Sequence, residues 1–256
     1  MTLAADAFAL AFGRMTVEQG LRLREACEAR HLKFRSARRF APLLSIADLD
    51  AFLSTDAAQA PRVAMADSGR NGSAAVPDDA SPSEDGRAAP TRLFRLFDAG
   101  ATLIVSQFHE FHAPLARFCR GLERVFLHPV QANIYLTPPG AQGFRTHFDS
   151  HDVLVLQVSG EKQWRYWDHQ PVPFATSRTP WDGQAYAPDQ AAAKQLTLKA
   201  GDALYLPRGV LHDAAAQAGG EPSLHVTVGL LEPTWGDVLK AAIDQLPGPL
   251  WVVKSQ

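Results

Sequence analysis

From residue 130 onward, glycine and proline cut the chain into short apolar runs at 130–137, 152–158, 162–167, 196–199, 203–206, 210–216 and 223–231. Short strands between turns, after a helical start, predict an antiparallel barrel or jelly roll with helices packed outside it. The helical start is read from spacing and caps. Residues 15–31 form an amphipathic stretch with Thr16 as N-cap, turning Leu21, Leu23 and Ala26 toward a core. Ser45 and Asp48 open a short helix running through Phe52, and Thr91 to Phe97 resumes helical spacing until Gly100 stops it. A strand is expected at 101–105, then a second amphipathic helix at 113–126 with Leu115, Phe118, Leu122 and Val125 on one side. A last helix begins at Pro233 and Thr234, with Leu239, Ile243 and Leu246 as its apolar stripe.

This pattern divides the chain into an N-terminal helical region (1–90), a barrel (91–232) and a C-terminal helix with tail (233–256). Within the first part, 56–90 is rich in Ala, Ser, Gly, Asp and Pro and holds almost no aromatics. Such a composition buries too little apolar surface to order itself, so a long mobile excursion is expected, with a hairpin at 61–67 and a substrate-covering role as one option.

With 256 residues, 46% of them hydrophobic, the chain can bury one substantial core. A net charge of −2 gives no general attraction to nucleic acid or anionic lipid, so neither partner is expected. The basic stretch Arg30, Lys33, Arg35, Arg38 and Arg39 reads first as a solvated surface and second as a contact for an acidic partner. Cys27 and Cys119 are far apart and outside any C-x-x-C pattern, so both read as reduced, buried residues. Neither a signal-type apolar region nor a run of membrane-spanning length is found, and a reducing cytoplasm is the expected setting.

The chemistry concentrates at His147-Phe148-Asp149. On an extended segment, side chains two apart share a face, so the imidazole and the carboxylate point the same way. A distant His would complete a 2-His-1-carboxylate set, which holds Fe(II) and leaves one face of the metal open. His212 qualifies: it follows Gly201-Asp202, a short strand, and the backbone bends at Pro207 and Gly209. His225 is the competing histidine. Lys162, Trp164 and Tyr166 alternate with Gln163, Arg165 and Trp167, so one strand face carries the lysine. A cation inside a small barrel is costly unless it meets an anion, and the other reading is a solvent-facing turn lysine after Gly160.

These residues carry a resemblance to a known family. Asn133 to Pro138, Gly143-Phe144, His147-Phe148-Asp149, Val155-Leu156-Gln157, Gly160 to Arg165, Leu204 to Gly209 and Ser223 to Thr227 resemble the JmjC-type cupin oxygenases of the ribosomal-oxygenase group. Those are Fe(II)- and 2-oxoglutarate-dependent hydroxylases, and the likeness is strongest over about 92–232. The resemblance implies a double-stranded β-helix core, with O₂ and 2-oxoglutarate as co-substrates. It implies that His147, Asp149 and His212 are the iron ligands and the catalytic centre. Lys162, fifteen positions after the first ligand, is implied to pair with the distal carboxylate of 2-oxoglutarate. Tyr135 and Asn133 are implied to line that pocket, Tyr135 through its hydroxyl, with Thr227 adding another hydroxyl and His225 standing beside the metal without ligating it. One departure is Gly229, where some relatives carry a serine that touches the co-substrate.

Arg145, His151, Gln157 and Trp181 are candidates for the substrate-facing rim. The expected activity is hydroxylation of an unactivated C–H in a protein, peptide or amino-acid-derived substrate, with a homodimer as the possible assembly. Two alternatives compete: a cupin metalloenzyme that does not use 2-oxoglutarate, which leaves Lys162 unexplained, and a non-catalytic cupin-fold binding protein.

Overall fold

The computed structural model describes residues 2–71, 90–168, 170–173, 175–176, 178–180, 182 and 185–245. Two helices, α1 (Leu3–Phe12) and α2 (Val17–Glu25), lead into strand β1 (Arg30–Leu32) and helix α3 (Ile46–Leu53). Strand β2 (Val63–Ala66), short α4 (Ser68–Asn71), α5 (Pro90–Asp98), β3 (Thr102–Val105) and α6 (Ala113–Phe126) follow. The rest is β4 (Val130–Thr137), β5 (Asp152–Ser159), β6 (Glu161–Tyr166), β7 (Lys194–Lys199), β8 (Ala203–Leu206), β9 (His212–Ala216), β10 (Ser223–Leu230) and helix α7 (Trp235–Asp244).

The strands form two antiparallel sheets. The larger runs β1-β8-β5-β10-β4-β3-β2, and the smaller runs β7-β6-β9. Period two splits the larger sheet into two faces. Leu154, Leu156, Tyr205, Val226, Val228 and Ile134 join the helix-side core, where α1 and α6 pack. Val153, Val155, Leu204 and Leu206 face the smaller sheet and meet Trp164 and Leu198 in a second cluster. The second cluster lines the barrel interior, and the larger sheet separates it from the first.

Sequence caps set the helix starts. Thr16 and Gln19, Ser45 and Asp48, and Thr234 and Asp237 each make a reciprocal capping box. The helix expected over 15–31 therefore starts where predicted but ends at Glu25, because Arg30–Leu32 leaves to pair with β8. Cys27 sits just past this helix with φ 52 and is exposed, correcting its expected burial, while Cys119 is buried in α6. α1 was not anticipated. Its Ala7, Phe8, Ala11 and Phe12 are buried, with Phe8 stacked on Phe12 at 4.7 Å between ring centroids. α1 approaches α6 so closely that a Cβ at Gly121 would lie 2.4 Å from the Ala7 methyl and 2.6 Å from the Leu3 carbonyl oxygen. Glycine is required there by space alone.

Two strands of the larger sheet come from residues before 91. β2, expected as half of a local hairpin, pairs with β3 instead. Residues 72–89, most of the expected excursion, lie outside the described residues, as does Leu246. α7 follows the last strand with Trp235, Val238, Leu239 and Ile243 all exposed. No helix among the described residues is long and apolar enough to cross a membrane.

Candidate metal centre

His147 and His212 are brought together by backbone. They form an isolated antiparallel bridge, His147 N–H to His212 O at 3.0 Å and His212 N–H to His147 O at 2.8 Å. Each ring is then oriented by a carbonyl. His147 Nδ1 lies 2.8 Å from Arg145 O, and His212 Nδ1 lies 2.9 Å from Val210 O. A carbonyl only accepts, so both Nδ1 atoms carry the proton, and both Nε2 lone pairs are free for a metal. Asp149 places Oδ2 3.6 Å from His212 Nε2. One donor atom from each of the three residues lies within 4.8 Å of the others.

The electrostatics suit a cation. Burial, then neighbouring His147, lowers the His212 pKa to about 4, so the imidazole is neutral. Burial raises the Asp149 carboxyl, but His212, His147 and His151 outweigh it, and its pKa falls below the ordinary value. Two imidazoles and one carboxylate are the donor set that suits Fe(II) with an open face.

The triad opens into a cavity of about 450 Å³, which also receives Tyr135, Lys162, Trp164, His225 and Thr227. Lys162 is 4% exposed. Its Nζ donates to Thr137 Oγ1 at 3.0 Å, and Thr102 donates to the same oxygen at 3.2 Å. No carboxylate pairs with Lys162 among the described residues. Burial lowers its pKa from 10.5 to about 7. Such an ammonium needs an anion, and the cavity is where one would arrive.

Aromatic rings span the distance between triad and lysine. Trp164 lies 6.0 Å from the His212 ring and edge-on to His225 at 5.8 Å, while His225 stacks on Tyr135 at 4.9 Å and 5°. Burial, then the charge of Lys162, pushes the His225 pKa well below its ordinary value. Its Nδ1 and the Trp164 Nε1 are buried without hydrogen-bond partners. Burial and then Asp149 raise the Tyr135 hydroxyl, which stays protonated and able to donate.

The remaining sequence candidates scatter. Arg145 lines the cavity and donates from Nε to Ser68 O at 3.0 Å. Asn133 shares the inward face of β4 with Tyr135 but lies outside the cavity lining, where its Oδ1 accepts the Gln107 N–H at 2.9 Å. Gln157, expected at the rim, is instead fully buried; its Nε2 donates to Ser223 Oγ at 2.9 Å and to Ser159 O at 2.8 Å. It faces inward, as alternation requires, but sits too deep along β5 to reach a rim. His151 lies outside the cavity lining, over Gly229, where a Cβ would come within 3.0 Å of its Nε2. Trp181 falls outside the described residues.

Thr102 and Asp213 line the cavity without having been singled out from the sequence, and Thr137, outside that lining but bonded to Lys162, was given no role either. Thr137 was within reach, since it shares a face with Asn133 and Tyr135. Asp213 is held by Arg165 through two bonds of 2.8 and 2.7 Å and accepts from Thr146 Oγ1 at 2.6 Å. This ties the residues beside His147 and His212 to one carboxylate.

A double-stranded β-helix with a His-Asp-His triad at its mouth and a buried lysine within defines a cupin with a candidate metal site. A JmjC domain model matches residues 104–238, more than half of the chain, and the chain belongs to that family. Among curated proteins it is 34% identical over 162 residues to the bifunctional lysine-specific demethylase and histidyl-hydroxylase NO66 of Dictyostelium discoideum (63% of this chain, 31% of that protein). It is 38% identical over 169 residues to ribosomal oxygenase 2 of Bos taurus (64% and 35%). The chain thus spans about a third of the length of these relatives. Among solved structures, the ribosomal oxygenase YcfD from Escherichia coli superposes with TM-score 0.58 at 16% identity, over 95% of this chain and 60% of that one. The same protein in complex with cobalt and 2-oxoglutarate gives 0.53 at 16% identity, over 90% and 59%.

Proposed function

We propose that this chain is an Fe(II)- and 2-oxoglutarate-dependent dioxygenase that hydroxylates an unactivated C–H of a protein side chain. The observation that carries the reading is Lys162, a buried ammonium without a carboxylate partner among the described residues, opening on the same cavity as the triad. Neither a metal site without 2-oxoglutarate nor a non-catalytic scaffold gives that lysine a purpose. The relatives, a lysine-specific demethylase and histidyl-hydroxylase and a ribosomal oxygenase, support a polypeptide substrate.

When bound, Fe(II) and 2-oxoglutarate supply the oxidising chemistry: one O₂ and one 2-oxoglutarate become succinate, CO₂ and the oxygen of the product hydroxyl. His147, Asp149 and His212 would hold the iron with their Nε2 and Oδ atoms, leaving the cavity side open. Lys162 and Thr137 would take the distal carboxylate of 2-oxoglutarate, and the lysine would hold its proton more firmly as the anion arrives. Tyr135 is placed to donate its hydroxyl to the same co-substrate. The rings of Trp164, Tyr135 and His225 flank the path between the two ends and keep water from it.

A cytoplasmic setting belongs to the same reading, supported by two free cysteines and by a metal that must stay ferrous. The exposed apolar residues of α7 support a homodimer, which sedimentation of the full chain would test. The function is tested by anaerobic titration of the Fe(II)-loaded protein with 2-oxoglutarate, followed by the visible metal-to-ligand charge-transfer band. A saturable band is expected, absent in His147→Ala and weakened in Lys162→Ala. Bound iron without any band would refute the hydroxylase reading.

A further inference from the structure

The two sides of the triad are joined by one turn, residues 207–210 between β8 and β9. Gly209 N–H donates to the Asp149 carbonyl at 2.9 Å, and Val210 O accepts His212 Nδ1 at 2.9 Å. A shift of this turn would therefore move the backbone of one ligand and the ring of another. Gly209 itself has φ 75 and would place a Cβ 2.3 Å from Val172 O, so no side chain can fix the turn from that position. It is held from its flank.

Asp152, at the start of β5, does much of the holding. Its Oδ1 accepts the Arg208 backbone N–H at 2.9 Å, and its Oδ2 accepts the Tyr205 hydroxyl at 2.8 Å. The Arg208 side chain pairs with Glu232 at 2.9 Å, and the Arg208 carbonyl accepts Gln170 Nε2 at 3.0 Å. This leaves two carboxylates, buried Asp152 and half-buried Glu232, beside one half-buried arginine. The second cation comes from outside the barrel. Arg24 of α2 donates Nε to Asp152 Oδ2 at 2.9 Å and pairs through Nη2 with Glu232. Its side chain is 12% exposed and lies 5.7 Å from the centre of the Phe126 ring.

We propose that Arg24 is a positioning residue for the metal centre: by bridging Asp152 and Glu232 it fixes the 207–210 turn, and through it the orientation of Asp149 and His212. The proposal rests on the reading of the triad as a metal site. The family model begins at residue 104, so Arg24 lies outside it, and α2 joins the support of the centre. Arginine suits the position, since its planar fork serves two carboxylates at once while an ammonium offers a single point.

The test titrates the full-length protein with Co(II) alone, reading affinity and the visible d–d spectrum, with apo melting measured alongside. Groups that support metal ligands from the next layer typically change metal affinity by about 10–100-fold. Arg24→Met is expected to weaken Co(II) binding about tenfold and to shift the band; Arg24→Lys should recover part of both. Leu115→Ala, a cavity variant in the helix layer, should lower the melting temperature and leave affinity and spectrum as in the wild type. If Arg24→Met is insoluble, Glu232→Gln carries the same expectation. Wild-type affinity and spectrum in the Arg24 variant would overturn the proposal, and so would equal weakening by Leu115→Ala. Either result leaves the triad reading intact as long as His147→Ala abolishes the Co(II) spectrum. If His147→Ala does not, the triad reading falls, and the proposal with it.

Discussion

Replacing Lys162 by Met should make the metal-free protein more stable at neutral and lower pH while removing its affinity for a dicarboxylate. Burial takes the Lys162 pKa from 10.5 to about 7. The drop, at about 1.4 kcal/mol per pKa unit, corresponds to about 5 kcal/mol of destabilisation by the buried charge. The sign follows from proton binding. Between the two pKa values the unfolded chain holds the proton and the native chain has released it, so native stability rises with pH across that window. Below about pH 7 the destabilisation is complete, and above about 10.5 it is gone. The variant lacks this dependence. Urea unfolding of both apo proteins from pH 6 to 9.5 should show the Lys162→Met advantage largest at pH 6 and shrinking as pH rises. Loss of the Thr137 bond reduces the advantage but leaves its pH slope. Adding 2-oxoglutarate should stabilise the wild type alone. An advantage that stays flat with pH, or a variant that the dicarboxylate stabilises equally, would refute the assignment of Lys162 as the buried, anion-seeking cation.

Thr137→Val removes the hydroxyl that accepts from Lys162 and should cost about 1.5–3 kcal/mol below pH 7, read by the same unfolding series; no change would mean that the lysine finds another acceptor. Gly229→Ser would press a Cβ within 3.0 Å of His151 Nε2 and 3.2 Å of its Cε1. It should cost about 1–3 kcal/mol, and His151→Ala should restore most of that loss in the double variant, as thermal melts of all four proteins would show. Arg165→Met strips two charge-assisted bonds from Asp213, which is 4% exposed. Because Arg165 itself is 38% exposed, the loss should be about 1–3 kcal/mol, with Co(II) affinity falling too if Asp213 steadies the His147–His212 bridge.

What could be read from the chain was what depends on near neighbours. H-x-D, the bend before His212 and the alternation around Lys162 are local patterns, and the structure gathers all four residues on one cavity. The caps at Thr16, Ser45 and Thr234 likewise place helix starts to within a residue or two. Position along a strand was not readable. Gln157 faces inward, but only register with β10, opposite His225, shows that it lies deep in the barrel. The same limit hid β1 and the true partner of β2, strands three and four residues long that pair with segments far away in sequence. The salt-bridge network at Arg24 is a case of the same kind, since its partners stand 128 and 208 residues on.

The site combines two unfinished electrostatic arrangements in one cavity. The triad joins a carboxylate to two imidazoles whose protons are already committed to backbone carbonyls, so its remaining lone pairs converge without a positive charge to receive them. Lys162 is the reverse, a cation with one neutral hydroxyl for company. They do not neutralise each other, because His225, Trp164 and Tyr135 stand between them and lack charge. A divalent metal at one end and a carboxylate at the other would complete both. A single small molecule that chelates the metal through one end and carries an anion at its other end does so while filling the aromatic span. That demand, more than the triad alone, separates a 2-oxoglutarate site from the many other uses of a cupin barrel, and it is made by side chains from β4, β6, β9 and β10 that the barrel fold alone brings together.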